Sequence, residues 1–255
     1  MILAIDIGNT NITLGAFEND ALRFTARLAT DPHKTEDQCA IDIKDLLRLN
    51  ECPTASIEGA AISSVVPNVG SAMKRALRRI CGVDPVVIGP GVKTGLNIRI
   101  DNPAQLGAYL VAGAVGASAK YPAPCIIFDL GTATTISVID KSGAMVGGAI
   151  AAGVASTMNA LATKTAQLPS VDLEAPDNVI GANTVDCIKS GIIIGAAAML
   201  DGMTARIERE LGCKATLVAT GGLARCVTDR CEREVIIDDD LLLDGLLAVY
   251  KKNTK

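Results

Sequence analysis

Two short passages hold the residues best suited to chemistry. The first is Asp6-Ile7-Gly8-Asn9-Thr10-Asn11, followed by Ile12 and Thr13. An apolar run over 2–7 predicts a buried strand, and 12–17 predicts a second strand after a polar turn. A glycine in that turn lets successive backbone N–H groups converge on one spot, which suits phosphate oxygens, and the Asn and Thr side chains add donors. An aspartate at the strand end can hold Mg²⁺ through water. Gly-Asn is also ordinary hairpin-turn chemistry, so the turn alone does not decide. The acidic residue within an apolar strand tips the reading towards a site, because a buried carboxylate is costly unless it is used.

The second passage is Asp129-Leu130-Gly131-Thr132-Ala133-Thr134-Thr135, after the apolar run Ile126-Ile127-Phe128. The same physics applies, with threonine hydroxyls in place of the asparagines. A third motif, Ala219-Thr220-Gly221-Gly222-Leu223-Ala224, follows another apolar run. Its paired glycines leave room for a flat base or a ribose. Asp6 aligns with Asp129 and Gly8 with Gly131, a little under half the chain apart. That predicts two duplicated halves, 1–118 and 119–255.

The elements that must position these turns follow from periodicity. Helices are expected over 35–49, 70–81, 103–119, 154–166, 184–211 and 240–252. Pro103 would start the third, with Asp101 or Asn102 as its cap. The helix over 184–211 would break or bend near Gly191, Gly195 or Gly202. Strands at 60–66, 86–88, 215–219 and 235–237 alternate with the helices, so the fold class is α/β.

Composition bounds the rest. The 255 residues are 49% hydrophobic and 20% charged, which supports a packed core. Only 2% are aromatic, so the core rests on Ala, Val, Ile and Leu. Net charge is −4 with no basic run, which argues against nucleic acid as a partner. The eight cysteines show no C-x-x-C spacing and His33 is the one histidine, so zinc is not expected. Asp6 comes too early for a signal peptide, and the apolar stretch 191–200 is short for a membrane span. A cytoplasmic protein without membrane insertion is expected.

The order Asp-x-Gly, Asp-x-Gly-Thr, Gly-Gly resembles that of the actin, sugar-kinase and heat-shock ATPase superfamily. Within it, the chain resembles a type III pantothenate kinase along nearly its whole length. The resemblance is carried by Asp6 to Asn11, Thr30-Asp31 with Lys34-Thr35, and Ile62-Ser63-Ser64-Val65-Val66-Pro67. It continues through Gly89 to Leu96, Asp101-Asn102-Pro103, Asp129 to Thr135, Thr165 to Pro169, Gly181 with Asn183-Thr184, Ser190-Gly191-Ile192 and Gly221-Gly222. It implies two ribonuclease-H-like (actin-like ATPase) domains with a nucleotide cleft between them, Asp6 and Asp129 facing across it. It implies phosphorylation of pantothenate by ATP with Mg²⁺, at the entry to coenzyme A synthesis. It also implies K⁺ or NH₄⁺ at Asp129, and ATP contacts along Asp6–Thr13 and at Thr132. Gly107 to Leu110 and Thr184 would bind substrate, Thr184 from the partner subunit of a homodimer.

The match breaks in two places. The family pattern after Asn102-Pro103 runs to Gly-x-Asp-Arg, but here Gly107-Ala108-Tyr109-Leu110 stands. The resemblance makes that Asp the general base and the Arg a substrate clamp. Tyr109, with an ordinary pKa of about 10, keeps its proton near neutral pH. Leu110 cannot donate to a carboxylate. Ala152 also replaces the proline of a Pro-Gly pair, before Gly153. Two expectations stand from this: a kinase for pantothenate or another small alcohol, and an ATP-binding paralogue with impaired catalysis and a regulatory role.

Overall fold

A computed structural model describes residues 1–254 and divides into two compact units. The first comprises 1–97, 101–120 and 240–254; the second comprises 98–100 and 121–239.

The first unit opens with an antiparallel meander, β1 (Ile2–Ile7), β2 (Asn11–Glu18) and β3 (Ala21–Ala29). Two parallel strands, β4 (Gly59–Ser64) and β5 (Val86–Val87), extend the sheet beside β1, giving the order β3-β2-β1-β4-β5. Helix α1 (Glu36–Leu49) begins at a capping box in which Thr35 and Gln38 satisfy each other's backbone N–H groups. Helix α2 (Pro67–Cys81) has proline in its first turn and ends on Gly82 in the left-handed region. Leu3, Ile5 and Ile7 bury one face of β1 in a core with Ile43, Leu47, Val69, Met73 and Leu77 of these helices. The period of two then places Ala4 and Asp6 on the opposite face.

That opposite face carries α3 (Ala108–Lys120) and α8 (Leu241–Asn253). The two helices cross so closely that a Cβ on Gly116 would lie 2.2 Å from the Leu241 carbonyl oxygen, and one on Gly245 1.9 Å from that of Ala112. Only glycine fits at that crossing, and it ties the last helix to the first unit. The sequence expectation placed 240–252 with the second half; the chain instead returns, and the division falls between Lys120 and Tyr121. Helix α3 also starts later than its proline suggested. Pro103–Gln105 makes a single 3₁₀ turn, Leu106 is extended, and Asn102 makes no side-chain cap.

The second unit repeats the plan. Strands β7 (Cys125–Leu130), β8 (Ala133–Ile139) and β9 (Ala144–Ala152) form the meander. Strands β10 (Thr216–Thr220) and β11 (Ile236–Ile237) add in parallel beside β7. Read from β9, the order β9-β8-β7-β10-β11 is that of the first sheet, with β6 (Asn97–Ile98) added at one edge. Helices α4 (Val154–Lys164), α5 (Thr184–Lys189), α6 (Gly195–Leu211) and α7 (Ala224–Thr228) complete it. The bend expected in 184–211 is a π-helical turn, Ser190–Ile194, joining α5 to α6 without a stop. The whole of 184–211 is long and apolar enough to cross a membrane by composition. Its Ile188, Ile192, Ile193, Ala197 and Leu200 pack instead with Ile126, Phe128 and Leu130 in the core of this unit.

Candidate functional site

Asp6 and Asp129 are each the second-last residue of the central strand of their sheet. In each sheet the same row carries a hydroxyl on both sides. Asp6 stands opposite Thr13 on β2 and Ser63 on β4. Asp129 stands opposite Thr135 on β8 and Thr220 on β10. Equal register puts each trio on one face of its sheet.

The first turn is held from two sides. Gly8 N–H donates to the Asn11 carbonyl at 2.9 Å, closing the hairpin. Thr30 hydroxyl donates to the Gly8 carbonyl at 2.8 Å, and Thr30 N–H to the Thr10 carbonyl at 2.9 Å. Ile7 and Ile12 anchor the turn in the core, while the side chains of Asn9, Thr10 and Asn11 are exposed. The turn therefore presents polar groups outward on a rigid base.

Asp6 has an unusual environment. Burial pushes its carboxyl up to about 6, and the adjacent Ser63 hydroxyl, near enough to interact but outside hydrogen-bond geometry, pulls the other way. Its Oδ1 is buried without a hydrogen-bond partner, and so is the Oγ of Ser63, which is 0% exposed. An uncompensated buried carboxylate oxygen fits a hydrated cation arriving with a ligand; it does not fit a structural ion pair.

In the second unit, Gly131 N–H donates to the Ala133 carbonyl at 3.1 Å. Thr132 is exposed at the tip of the turn. Its carbonyl accepts from Gly153 N–H at 3.2 Å and from the Ser156 hydroxyl at 2.7 Å, so the start of α4 braces the turn. Gly221 follows β10 at φ +98°, where a Cβ would lie 2.7 Å from the Leu130 carbonyl oxygen and 2.9 Å from Asp129 Oδ1. The Gly-Gly motif thus packs its backbone against the second aspartate, with Gly222 exposed beside it. The surroundings of Asp129 offer oxygen donors, suited to a hard cation.

The first unit holds 6–13 together with Gly107, Ala108, Tyr109 and Leu110. These four are half-buried at the start of α3, which packs on β4, and the Tyr109 ring lies back over Gly107. Asp129, Thr132, Thr184, Gly221 and Gly222 belong to the second unit. Thr184 is exposed at the start of α5, just after Asn183, whose side chain accepts from Asp186 N–H. A cavity of about 500 Å³ in the first unit, lined by His33, Lys34, Glu36 and Arg75 among others, contains none of these residues.

The sequence reading quoted Ser63, Thr135 and Thr30 within its motifs but did not place Ser63 and Thr135 beside the two aspartates, nor Thr30 as the brace of the first turn. A signal for Thr135 was available: hairpin pairing across a Gly-containing turn sets it opposite Asp129. Ser63 had no local signal, since its position depends on a parallel pairing across 56 intervening residues that include α1.

The fold is shared with solved structures of low identity. A putative Baf family transcriptional activator from Campylobacter jejuni superposes with a TM-score of 0.62 at 18% identity, covering 98% of each chain. The activator of 2-hydroxyisocaproyl-CoA dehydratase from Clostridium difficile, solved with bound ADPNP, gives 0.58 at 13% identity, covering 99% of this chain and 93% of that one. At these identities the likeness is one of fold. At the level of sequence, a type III pantothenate kinase of Exiguobacterium sp. is 42% identical over 100% of both chains. The type III pantothenate kinase of a Listeria monocytogenes strain is 40% identical over 99% of this chain and 98% of its own. The family model described as type III pantothenate kinase matches residues 2–206. With two equivalent Asp-x-Gly turns at the strand ends and relatives matching from end to end, this chain belongs to the type III pantothenate kinase family.

Proposed function

We propose that the chain transfers the γ-phosphoryl group of ATP to the hydroxyl of pantothenate in the cytoplasm, with the two aspartate turns as its phosphate-handling machinery. The buried Asp6 carboxylate, whose Oδ1 has no hydrogen-bond partner, carries this reading, because a cation-bearing ligand would offset the cost of burying it. Asp6 would hold Mg²⁺ through water, and the turn from Ile7 to Thr13 would bind the phosphates. Thr132, Gly221 and Gly222 would complete the ATP contacts. Asp129, amid oxygen donors, would hold a monovalent cation, K⁺ or NH₄⁺. Mg²⁺ supplies charge neutralisation of the triphosphate when bound; the chain's own part is to position and to exclude water.

Gly107 to Leu110 and Thr184 would bind pantothenate. Tyr109 can donate a hydrogen bond to substrate but cannot take its proton near neutral pH. Phosphoryl transfer depends mostly on positioning, so turnover persists at a rate reduced by roughly 10²–10⁴-fold, the usual contribution of a base. Asp101 is the nearest carboxylate in sequence to α3 and is the candidate to replace it.

A homodimer is part of this reading. On the 184–211 helix, Gly191, Gly195, Ala198 and Ala205 are exposed along one small-residue stripe. Val179, Ile180 and Val185 are also exposed, at 69%, 88% and 39%. Such a face suits close helix contact with a second copy. The test is ADP release measured with and without pantothenate, with the product identified by mass. Phosphopantothenate formed in step with ADP supports the proposal; pantothenate-independent ATP hydrolysis or none overturns it.

A further inference from the structure

Two buried hydroxyls are satisfied by backbone carbonyls of the fold. Ser190 donates to the Val179 carbonyl at 2.5 Å and Thr228 to that of Ala224 at 2.9 Å. Among the described residues, three buried side-chain oxygens lack a partner: Asp6 Oδ1, Ser63 Oγ and Thr135 Oγ1. All three lie in the two aspartate rows, Ser63 opposite Asp6 and Thr135 opposite Asp129. Ser63 is 0% exposed and Thr135 3% exposed, so bulk water does not serve them in the ligand-free fold.

An unsatisfied buried hydroxyl is costly, and native folds keep few of them. Their confinement to the rows of the two aspartates, in two separately built sheets, calls for one cause. We propose that Ser63 and Thr135 are positioning residues for a metal–nucleotide complex, each beside the aspartate of its own unit. Their hydroxyls are held open for partners that arrive with the bound state, the water shell or phosphate oxygens of a metal–nucleotide complex. This rests on the nucleotide reading above. Unit 1 supplies its hydroxyl from the parallel neighbour β4, unit 2 from the antiparallel neighbour β8, so the two halves reach one chemical arrangement by different strands.

Thr135 gives the sharper test, because two single-group changes separate the hydroxyl from the methyl. Thr135→Val keeps shape and deletes the orphan oxygen; Thr135→Ser keeps the oxygen and deletes a buried methyl. The ligand-free stability of each purified chain is measured by urea unfolding. Binding of Mg²⁺ with a non-hydrolysable ATP analogue is measured by calorimetry. The proposal expects Thr135→Val to unfold at the same or a higher urea concentration than the unmodified chain, yet to bind the analogue roughly tenfold more weakly. It expects Thr135→Ser to unfold earlier and to recover most of that affinity. Ser63→Ala should weaken binding in the same direction as Thr135→Val and raise the Mg²⁺ concentration needed for it. A purely structural role predicts the reverse order, with Val less stable and affinity untouched. If the unmodified chain binds and Thr135→Val binds equally well, this proposal fails while the kinase reading stands. If the unmodified chain does not bind the analogue, the nucleotide reading fails and takes this one with it.

Discussion

Asp6 and Ser63 stand side by side on β1 and β4, and each keeps one buried oxygen without a hydrogen bond of its own. The carboxyl is pushed up to about 6 by its burial. A raised carboxyl contributes stability that is fully present below its unfolded value of 3.8 and lost as pH rises through about 6. The ligand-free protein therefore loses on the order of 3 kcal/mol from this group between pH 4 and 7, an upper bound from the two-unit shift. Asp6→Asn removes that dependence. Urea midpoints should show the variant more stable than the unmodified chain at pH 8, with the gap closing near pH 4. Calorimetry should show Mg²⁺-dependent nucleotide binding weakened more by Asp6→Asn than by Asn11→Ala.

Gly221 is confined by its φ of +98° and by the Leu130 carbonyl and Asp129 carboxylate against it. Gly221→Ala should destabilise the chain by about 1–3 kcal/mol through strain and displace Asp129. Gly89→Ala, where the added methyl meets nothing within 4 Å, is the control. Equal unfolding midpoints for the two would show that the Gly221-Gly222 motif is not a tight backbone contact.

Glu208, 6% exposed, is gripped by Arg233 at 2.9 and 3.1 Å and by Lys214 at 2.9 Å. Arg233 chiefly holds its carboxyl down to about 2. A lowered carboxyl contributes stability above its ordinary value of 4.5, and that stability drains away as pH falls towards 2. Glu208→Gln should flatten the acid limb of the stability curve in that window and lower the midpoint at pH 7. A curve that keeps its wild-type acid limb would place the dependence elsewhere.

Tyr109 and Leu110 occupy the first turn of α3. The double change Tyr109→Asp with Leu110→Arg should raise pantothenate turnover by up to the roughly 10²–10⁴ that a positioned base supplies. Robust turnover by the unmodified chain, lost in Asp101→Asn, would instead give the base role to Asp101.

Gly195 lies exposed on α6 with nothing of its own chain within 4 Å of an added Cβ. Gly195→Arg should leave the subunit folded, since helix propensity rises, while breaking close helix contact between copies. Sedimentation at micromolar concentration should show a dimer for the unmodified chain and a monomer for the variant. A monomer in both cases would sink the dimer reading.

The two turns were legible because their chemistry is local. An apolar strand, an aspartate and a glycine turn lie within ten residues, and hairpin pairing follows from them. Helices with a strong period, such as 36–49 and 67–81, were legible for the same reason. The third strands of each meander were not. Strand β9 hides behind Gly147-Gly148, and a glycine pair inside a strand reads as a turn. The start of α3 was misplaced because Pro103 and Asn102 look like a helix start until the extended Leu106 interrupts them.

What the sequence by itself determined is the pair of Asp-x-Gly turns, the α/β class and the family, all carried by short contiguous motifs. What only the tertiary structure decided is which residues stand beside the two aspartates and where the last helix goes. Ser63 meets Asp6 through a parallel pairing of strands far apart in the chain, with no connecting turn to set its register. Helix α8 joins the first unit because Gly116 and Gly245 let two helix backbones touch. Such contacts are between residues far apart in the chain, and their energy appears only when both surfaces are buried together.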